Sequence, residues 1–174
     1  MNLILFGFKS CGKTTIGRAV AKRLGCSFFD TDHLLEDLYY KRTGEKKGYR
    51  EIYKLIGEKE FRFMERDVLK GLDRTDRAVI AVGGGLILDP ENVALLAKLG
   101  RLVYLRVNKQ TLKKRILERS LPAYLDSSNP EESFEKMYQE RLPIYEKILA
   151  LPIDLETQTQ DQAIEEICLL GDHG

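Results

Sequence analysis

A glycine-containing segment near the start of the chain has the residue types and spacing best suited to chemistry. It reads Gly7-Phe8-Lys9-Ser10-Cys11-Gly12-Lys13-Thr14, which is the pattern G-x-x-x-x-G-K-S/T. An apolar run precedes it and an amphipathic pattern follows it, as a strand and a helix would. Such a loop turns backbone N–H groups towards an anion at a helix N-terminus. We therefore predict a polyphosphate site in which Lys13 reaches the β- and γ-phosphates and the Thr14 hydroxyl binds Mg²⁺.

Two aspartates follow the second apolar run of the chain. Asp30 is the last residue of the predicted strand 27–30, and Asp32 lies two positions later. Alternate residues of a strand share a face. We predict that both carboxylates point into one cleft. One would lie near Mg²⁺, and the other would receive or orient the proton of an acceptor hydroxyl, as phosphoryl transfer requires. The alternative is that Asp32 only caps the helix that begins at His33.

Several arginines are candidates for binding anions. Arg62 has Glu65 one turn away, which predicts either an exposed ion pair or an arginine held ready for a substrate carboxylate. Arg115 and Arg119 lie one turn apart before a polar segment. They could offset charge on the transferred phosphoryl group or form a solvated basic face. Arg141 is a second candidate for a substrate anion.

Three consecutive glycines, Gly83-Gly84-Gly85, follow the apolar run of residues 78–82. Consecutive glycines lose much conformational entropy when they become ordered. We expect them where the backbone passes close to a ligand, and the alternative is a flexible turn.

Short apolar runs alternate with helical patterns, which predicts a parallel sheet with helices on both faces. The expected strands are residues 2–6, 27–30, 78–82, 102–107 and 153–156. The expected helices are residues 13–24, 33–41, 58–72, 91–99, 110–118, 130–149 and 162–170. Residues 43–57 and 119–129 are polar and fit neither pattern. We expect them to be loops near the ligand, which should bind beyond the carboxyl ends of the strands.

Composition narrows the class of protein. The 174 residues suit one domain, and 28 basic against 27 acidic residues give a net charge of +1. That balance does not suggest a nucleic-acid or membrane surface. Three cysteines without zinc-ligand spacing suit a reducing compartment, and no apolar stretch approaches the ~20 residues of a membrane span. The first residues do not read as a secretory signal. We expect a cytoplasmic monomer that binds small molecules.

Taken in order, these motifs resemble those of the shikimate kinase family, from Leu3 to about Ala163. The resemblance is carried by the phosphate loop, Asp30-Thr31-Asp32, Gly57-Glu58…Phe61-Arg62…Glu65, Gly83-Gly84-Gly85 and Arg141…Pro143…Tyr145. It implies a P-loop NTPase fold with three α/β/α layers, of the nucleoside-monophosphate-kinase type, and a five-stranded parallel sheet in the order 2-3-1-4-5. It also implies transfer of the γ-phosphoryl group of ATP to the 3-hydroxyl of shikimate, with Mg²⁺, in the biosynthesis of chorismate and the aromatic amino acids.

The resemblance implies roles on the acceptor side of the site. Asp32 would bind the shikimate hydroxyls and act as the base. Arg62 and Arg141 would hold the shikimate carboxylate. The backbone at Gly83, Gly84 and Gly85 would lie against the ring hydroxyls. Residues 33–65 would form a substrate-binding subdomain within one kinase domain of residues 1–174.

On the nucleotide side, the resemblance makes Thr14 a direct Mg²⁺ ligand and lets Asp30 support the water shell of the ion. Lys13 and Arg119 would act in catalysis, and residues 115–130 would form a lid. The residues expected to contact ATP are Ser10, Cys11, Gly12, Lys13, Thr14, Thr15, Arg115, Arg119 and Gln160.

Two features depart from the family pattern. The family lid reads Arg-Pro-Leu-Leu, whereas this chain has Leu121-Pro122, so Arg119 is the expected substitute for the lid arginine. The segment from Thr43 to Tyr53 is slightly longer than usual, which should change the loop beside the substrate.

Other functions remain open from the sequence. A gluconate kinase or a nucleoside-monophosphate kinase shares the general design. A GTP-dependent switch protein is suggested by Asn108-Lys109-Gln110-Thr111, but Thr111 stands where such proteins need an aspartate to bind guanine. A nucleotide-binding protein without catalysis would not need Lys13, Thr14 and Asp32 together.

Overall fold

Five parallel strands form the centre of the molecule, with helices on both faces. The structure, a computed structural model, describes residues 1–119, 121–122 and 125–172, without the side chains of Arg119 and Asp172. The strands are β1 (Asn2–Phe6), β2 (Ser27–Asp30), β3 (Ala78–Ala81), β4 (Gly100–Arg106) and β5 (Leu151–Asp154). Their order in the sheet is β2-β3-β1-β4-β5. This order confirms the three-layer α/β/α phosphate-loop fold that the motifs predicted.

Helices connect the strands and cover the sheet. They are α1 (Lys13–Leu24), α2 (Thr31–Thr43), α3 (Tyr49–Gly71), α4 (Pro90–Leu99), α5 (Lys109–Arg119), α6 (Pro130–Lys147) and α7 (Gln160–Asp172). Every residue of β1 is buried, as expected for a central strand covered on both faces. Within the described ranges, no helix combines the length and the apolar character needed to cross a membrane.

The sequence prediction of a loop over residues 43–57 was wrong for most of that segment. Helix α3 already begins at Tyr49, and its first half packs Ile52 against α2 in a small hydrophobic cluster with Leu35 and Tyr39. Gly57 then interrupts the helix with φ 79° and ψ 168°. The helix expected from residue 58 is therefore the second half of a longer, broken one. The many polar residues on its exposed side concealed the helical period.

The segments singled out for chemistry all lie at one edge of the sheet. The phosphate loop follows β1, Asp30 ends β2, and the three glycines follow β3. Because β2, β3 and β1 are parallel neighbours, their carboxyl ends lie side by side. The topology thus brings together residues that are far apart in sequence, at the edge where α/β proteins bind ligands.

An aromatic cluster holds α6 against this edge. Tyr145 is buried, and its ring centroid lies 4.6 Å from that of Phe8 and 5.9 Å from that of Tyr104. Its hydroxyl donates a hydrogen bond to the carbonyl oxygen of Gly84. Helix α6 is therefore fixed both to the phosphate loop and to the glycine run, and Arg141 lies one turn before Tyr145.

Gly17 lets α1 approach the sheet closely, and this contact predicts a stability effect. A Cβ at this position would lie 2.6 Å from Cε2 of Phe28 and 3.2 Å from Cδ1 of Leu5. We expect Gly17→Ala to lower the free energy of unfolding by ~1–3 kcal/mol through overpacking. Gly71→Ala is the matched control, because no atom lies within 4 Å of its added methyl group. That change should be neutral or stabilising by up to about 1 kcal/mol. Urea unfolding of both variants measures the difference, and equal stabilities would contradict the contact.

Candidate active site

The phosphate loop depends on glycine at both of its ends. Gly7 has φ 148° and Gly12 has φ 109°, values that side chains with a Cβ rarely adopt. A Cβ on Gly7 would also lie only 2.7 Å from the carbonyl oxygen of Leu105. Gly12 is the N-cap of α1, so the loop opens directly onto the positive end of that helix. The backbone therefore has the shape that binds phosphate groups.

Two cations are held around this loop. The Lys13 ammonium donates to the carbonyl oxygens of Gly7 at 3.0 Å and Phe8 at 2.9 Å. The Arg115 guanidinium donates to the carbonyl oxygen of Ser10 at 3.3 Å. Arg115 therefore contacts the loop from the side of α5, which fits its predicted place on the nucleotide side.

Asp30 connects the phosphate loop to α2 through both carboxylate oxygens. Oδ2 accepts a hydrogen bond from the Thr14 hydroxyl at 2.8 Å, and Oδ1 accepts one from the backbone N–H of Asp32 at 3.1 Å. Asp30, rather than Asp32, is thus the N-cap of α2. The proposed reason for pairing the two aspartates, a shared strand face, was wrong, because β2 ends at Asp30 and Asp32 lies in the first helical turn.

Asp32 nonetheless lies in the cavity beside Asp30. Burial, followed by the neighbouring Asp30 carboxylate, raises the pKa of Asp32 to about 6, while the ammonium groups of Lys13 and Lys9 act in the opposite direction. A carboxyl group with this pKa is mainly ionised at neutral pH, yet it binds a proton more readily than an exposed aspartate. Asp32 therefore has the properties of a general base.

Arg62 is held by a buried acid. Its Nη1 lies 2.7 Å from Oε2 of Glu65, whose side chain is 6% exposed, whereas Glu58 is more distant at 3.8 Å. Burial raises the pKa of Glu65 to about 6, although the Arg62 guanidinium opposes that change. Of the two interpretations left open by the sequence, the geometry favours the positioned arginine, because a surface ion pair would not bury its acid.

The three glycines form a wall against which these two side chains pack. A Cβ on Gly83 would lie 2.6 Å from Oδ1 of Asp32, and one on Gly85 would lie 2.6 Å from Nη1 of Arg62. Gly85 has φ −85°, so its position requires space and not an unusual backbone angle. The backbone N–H of Gly83 donates to the Thr31 hydroxyl at 2.9 Å, which fixes the wall to the start of α2.

Most of the predicted site residues line one cavity of about 300 Å³. These are Ser10, Gly12, Lys13, Thr14, Thr15, Asp30, Asp32, Arg62, Gly83, Gly84, Gly85 and Arg141. Cys11 is a buried residue of the loop itself, and Gln160 is exposed at the start of α7. Neither is a lining residue of this cavity, and the side chain of Arg119 is outside the described residues.

Sequence reasoning missed a group of cavity residues on the acceptor side. They are Lys9, Tyr49, Arg50, Tyr53 and Phe61. Lys9 occupies a variable position of the phosphate-loop motif, and Tyr49, Arg50 and Tyr53 belong to the part of α3 that was read as a loop. The helical spacing of Tyr49 with Tyr53, and of Ile52 with Ile56, is the signal that could have revealed them.

Both ends of this cavity have a clear chemical character. One end has a backbone and cations suited to a polyphosphate, and the other has a carboxylate with the raised pKa expected of a base and arginines suited to an acid. Their meeting at the tips of parallel strands defines the class of protein: a phosphate-loop kinase that phosphorylates a small molecule.

Comparisons with known proteins identify the family within this class. The family model for shikimate kinase matches residues 9–170. A shikimate kinase of Thermodesulfovibrio yellowstonii is 37% identical over 166 residues, which cover 95% of this chain and 92% of that relative. One from Aromatoleum aromaticum is 40% identical over 88% of this chain and 85% of its own length. The solved structure of shikimate kinase from Acinetobacter baumannii in complex with shikimate aligns with a TM-score of 0.82 and 30% identity, covering 97% of this chain and 91% of that one. The chain belongs to the shikimate kinase family.

The raised pKa of Asp32 predicts a dependence of stability on pH. Between about pH 4 and about pH 6 the folded protein binds more protons at this carboxyl than the unfolded chain does, so its contribution to stability falls as pH rises. Asp32→Asn removes that effect. We expect the variant to match the wild type near pH 4 and to exceed it by ~1–2 kcal/mol at neutral pH.

Denaturant unfolding at several pH values measures this difference. Asp37→Asn, at an exposed position of the same helix, is the control, and its stability relative to wild type should not follow the same course. A constant difference between Asp32→Asn and wild type from acid to neutral pH would contradict the assignment.

Proposed function

We propose that this chain transfers the γ-phosphoryl group of ATP to the 3-hydroxyl of shikimate, through the cavity residues described above. Membership of the shikimate kinase family makes it an ATP-dependent phosphotransferase with an alcohol acceptor. The observation that carries the residue-level proposal is the single cavity in which a phosphate loop faces Asp32 and the Arg62–Glu65 pair. The family match does not favour a gluconate kinase, a nucleoside-monophosphate kinase or a GTP switch protein.

Asp32 is the proposed base. As the acceptor oxygen forms its bond to the γ-phosphorus, the hydroxyl proton passes to the Asp32 carboxylate and the bond between the γ-phosphorus and the bridging oxygen breaks, releasing ADP. The raised pKa of about 6 makes Asp32 a better proton acceptor than an ordinary aspartate while leaving it ionised at neutral pH. Lys13, released from the loop carbonyls by a polyphosphate, would offset the charge on the β- and γ-phosphates.

Arg62 and Arg141 are the proposed carboxylate-binding residues. Both line the acceptor side of the cavity, and they come from different elements, α3 and α6. Glu65 fixes Arg62 through Nη1. A shikimate carboxylate held in this way would place a ring hydroxyl towards Asp32 and the glycine wall. Positioning of this kind increases the reaction rate, because binding energy holds the reacting groups in the productive geometry.

Thr14 and Asp30 fit a Mg²⁺ ion. Both present oxygen atoms, which this ion prefers, and the Thr14 hydroxyl donates a hydrogen bond to Asp30 so that its lone pairs face away. In the described residues, no cluster of three or more His, Cys, Asp or Glu side chains could hold a metal by itself. Kinase sites hold Mg²⁺ through one or two protein oxygens together with phosphates and water, so this arrangement suffices. The ion would neutralise charge on the transferred phosphate.

We further infer a functional division within one kinase domain of residues 1–174. Residues 33–65 would form the substrate-binding subdomain, which is supported by a separate hydrophobic cluster between α2 and α3. Residues 115–130 would form the lid, with Arg119 as the proposed lid arginine and Pro122 at the cavity wall. A monomer in the cytoplasm, with ATP and shikimate as its partners, is the proposed working form.

An acceptor panel tests this function. We expect ATP- and Mg²⁺-dependent release of ADP with shikimate, and not with gluconate or nucleoside monophosphates, in a coupled assay. Lys13→Ala should lower kcat roughly a hundredfold or more while the protein remains folded. Turnover of gluconate without turnover of shikimate would overturn the substrate assignment.

The glycine wall predicts two separable kinetic defects. The methyl group of Gly85→Ala would displace the Arg62 guanidinium, so KM for shikimate should rise about tenfold with little change in kcat. Gly83→Ala would instead displace the Asp32 carboxylate, so kcat should fall about tenfold or more. Both added groups meet movable side-chain ends, and the fold should survive. Gly71→Ala is the control, and identical effects of the two wall variants would argue against separate roles.

A further inference from the structure

Three cavity residues, Lys9, Tyr49 and Arg50, form a cluster that the proposed mechanism does not use. The Lys9 ammonium donates a hydrogen bond to the Tyr49 hydroxyl oxygen, and Nε of Arg50 donates to the same oxygen at 3.2 Å. The ammonium also lies 5.0 Å from the centre of the Tyr49 ring. Two cationic side chains therefore converge on one phenol oxygen at the cavity surface.

Lys9 lies where the two ends of the cavity meet. It belongs to the phosphate loop, yet its backbone nitrogen is only 3.7 Å from a Cβ built on Gly84, in the glycine wall. Its side chain extends to Tyr49 on α3, the helix that also carries Arg62. A phosphoryl group moving from ATP to an acceptor must cross this same region.

The Lys9 charge is not neutralised by contact with an acid. Among the carboxylates in the described part of the chain, none forms an ion pair with its ammonium. Arg62, by contrast, is paired with buried Glu65. Lys9 is near enough to Asp32 to act on its pKa, but no carboxylate of the described residues contacts the ammonium. Holding a half-buried ammonium without a contacting acid is unfavourable, so such a group is well suited to meet an anion that arrives only during the reaction. The phenol oxygen of Tyr49 accepts its hydrogen bond and so fixes its direction.

We propose that Lys9, positioned by Tyr49, binds the transferred phosphoryl group on the acceptor side and then holds the phosphate of the product. This proposal rests on the proposed kinase function. The unphosphorylated acceptor has only a neutral hydroxyl at this point, whereas the transition state and the product have negative charge there. Lys9 therefore stabilises the later species more than the acceptor, which is the condition for accelerating the reaction. It takes no part in proton transfer, because the hydroxyl proton goes to Asp32.

Binding and kinetics of Lys9→Met test the proposal, since methionine keeps the length of the side chain and removes its charge. We expect the dissociation constant for shikimate 3-phosphate, measured by calorimetry, to rise about tenfold or more, the usual loss when a charged hydrogen bond is removed. The dissociation constant for shikimate should stay within about twofold, and kcat should fall by roughly the same factor as product affinity. Lys9→Arg should recover most of the product affinity.

Two further variants separate this role from a structural one. Tyr49→Phe keeps the ring and removes the oxygen that directs Lys9, so it should weaken product binding less than Lys9→Met does, again without affecting shikimate. Lys54→Met, at an exposed position of α3, is the control and should change neither constant. If Lys9 only fastened the loop to α3, Lys9→Met would lower stability while the ratio of product to shikimate affinity stayed constant, and that result would overturn the proposal.

Failure of the proposed function has a different outcome. If the wild-type protein phosphorylates another acid of the panel, the shikimate assignment is wrong, and the same measurements with that acid and its phosphate ester still test Lys9. If the wild type phosphorylates shikimate and Lys9→Met binds the product normally, only the role of Lys9 is rejected. If no acceptor is phosphorylated, both proposals fail.

Discussion

The geometry of the site depends on two hydrogen bonds that the Asp30 carboxylate accepts. One oxygen accepts a hydrogen bond from the Thr14 hydroxyl of the phosphate loop, and the other accepts one from the backbone N–H of Asp32. The first contact orients the hydroxyl that we propose as a Mg²⁺ ligand, and the second starts the helix that carries Asp32, the proposed base. Both contacts are made by one short side chain at the end of β2. The distance between the nucleotide end and the acceptor end of the cavity therefore depends on the sheet and not on long, flexible side chains. The glycine wall completes this frame by letting Asp32 and Arg62 approach the backbone closely.

The buried carboxyl groups of the site lower the free energy of unfolding. Asp32 and Glu65 are both carboxyl groups whose pKa values burial raises to about 6, so their ionised forms are less favourable in the folded protein than in water. Arg62 and the ammonium groups of Lys13 and Lys9 offset part of this effect. The central sheet supplies the compensation, because β1 and β3 are fully buried and largely apolar. This separation of a stable sheet from an edge with buried carboxyl groups is common in enzymes, where active-site groups lower stability.

Sequence reasoning was most successful where a single local rule determines the structure. The bounds of β1, β2 and α1 were predicted correctly, since an apolar run, a phosphate-loop motif and a helical period leave little freedom. The two aspartates were predicted to share a cleft and the three glycines to pass close to a ligand, and both groups line the same cavity. Prediction failed where distant contacts decide the outcome. The start of α3 depends on the packing of Ile52 against α2, and the capping role of Asp30 depends on where β2 ends. Neither is visible in a short window of sequence.

The break at Gly57 affects how this enzyme can evolve. It divides α3 into an upstream piece that carries Tyr49 and Arg50 and a downstream piece that carries Arg62. The two pieces do not share one continuous helical register, because the backbone turns at Gly57 through a conformation that glycine adopts readily. Residues gained or lost before the break can be absorbed in the exposed connection between Thr43 and Tyr49 without rotating Arg62. A lineage can therefore vary the side chains of the upstream piece while it inherits Arg62 in an unchanged position.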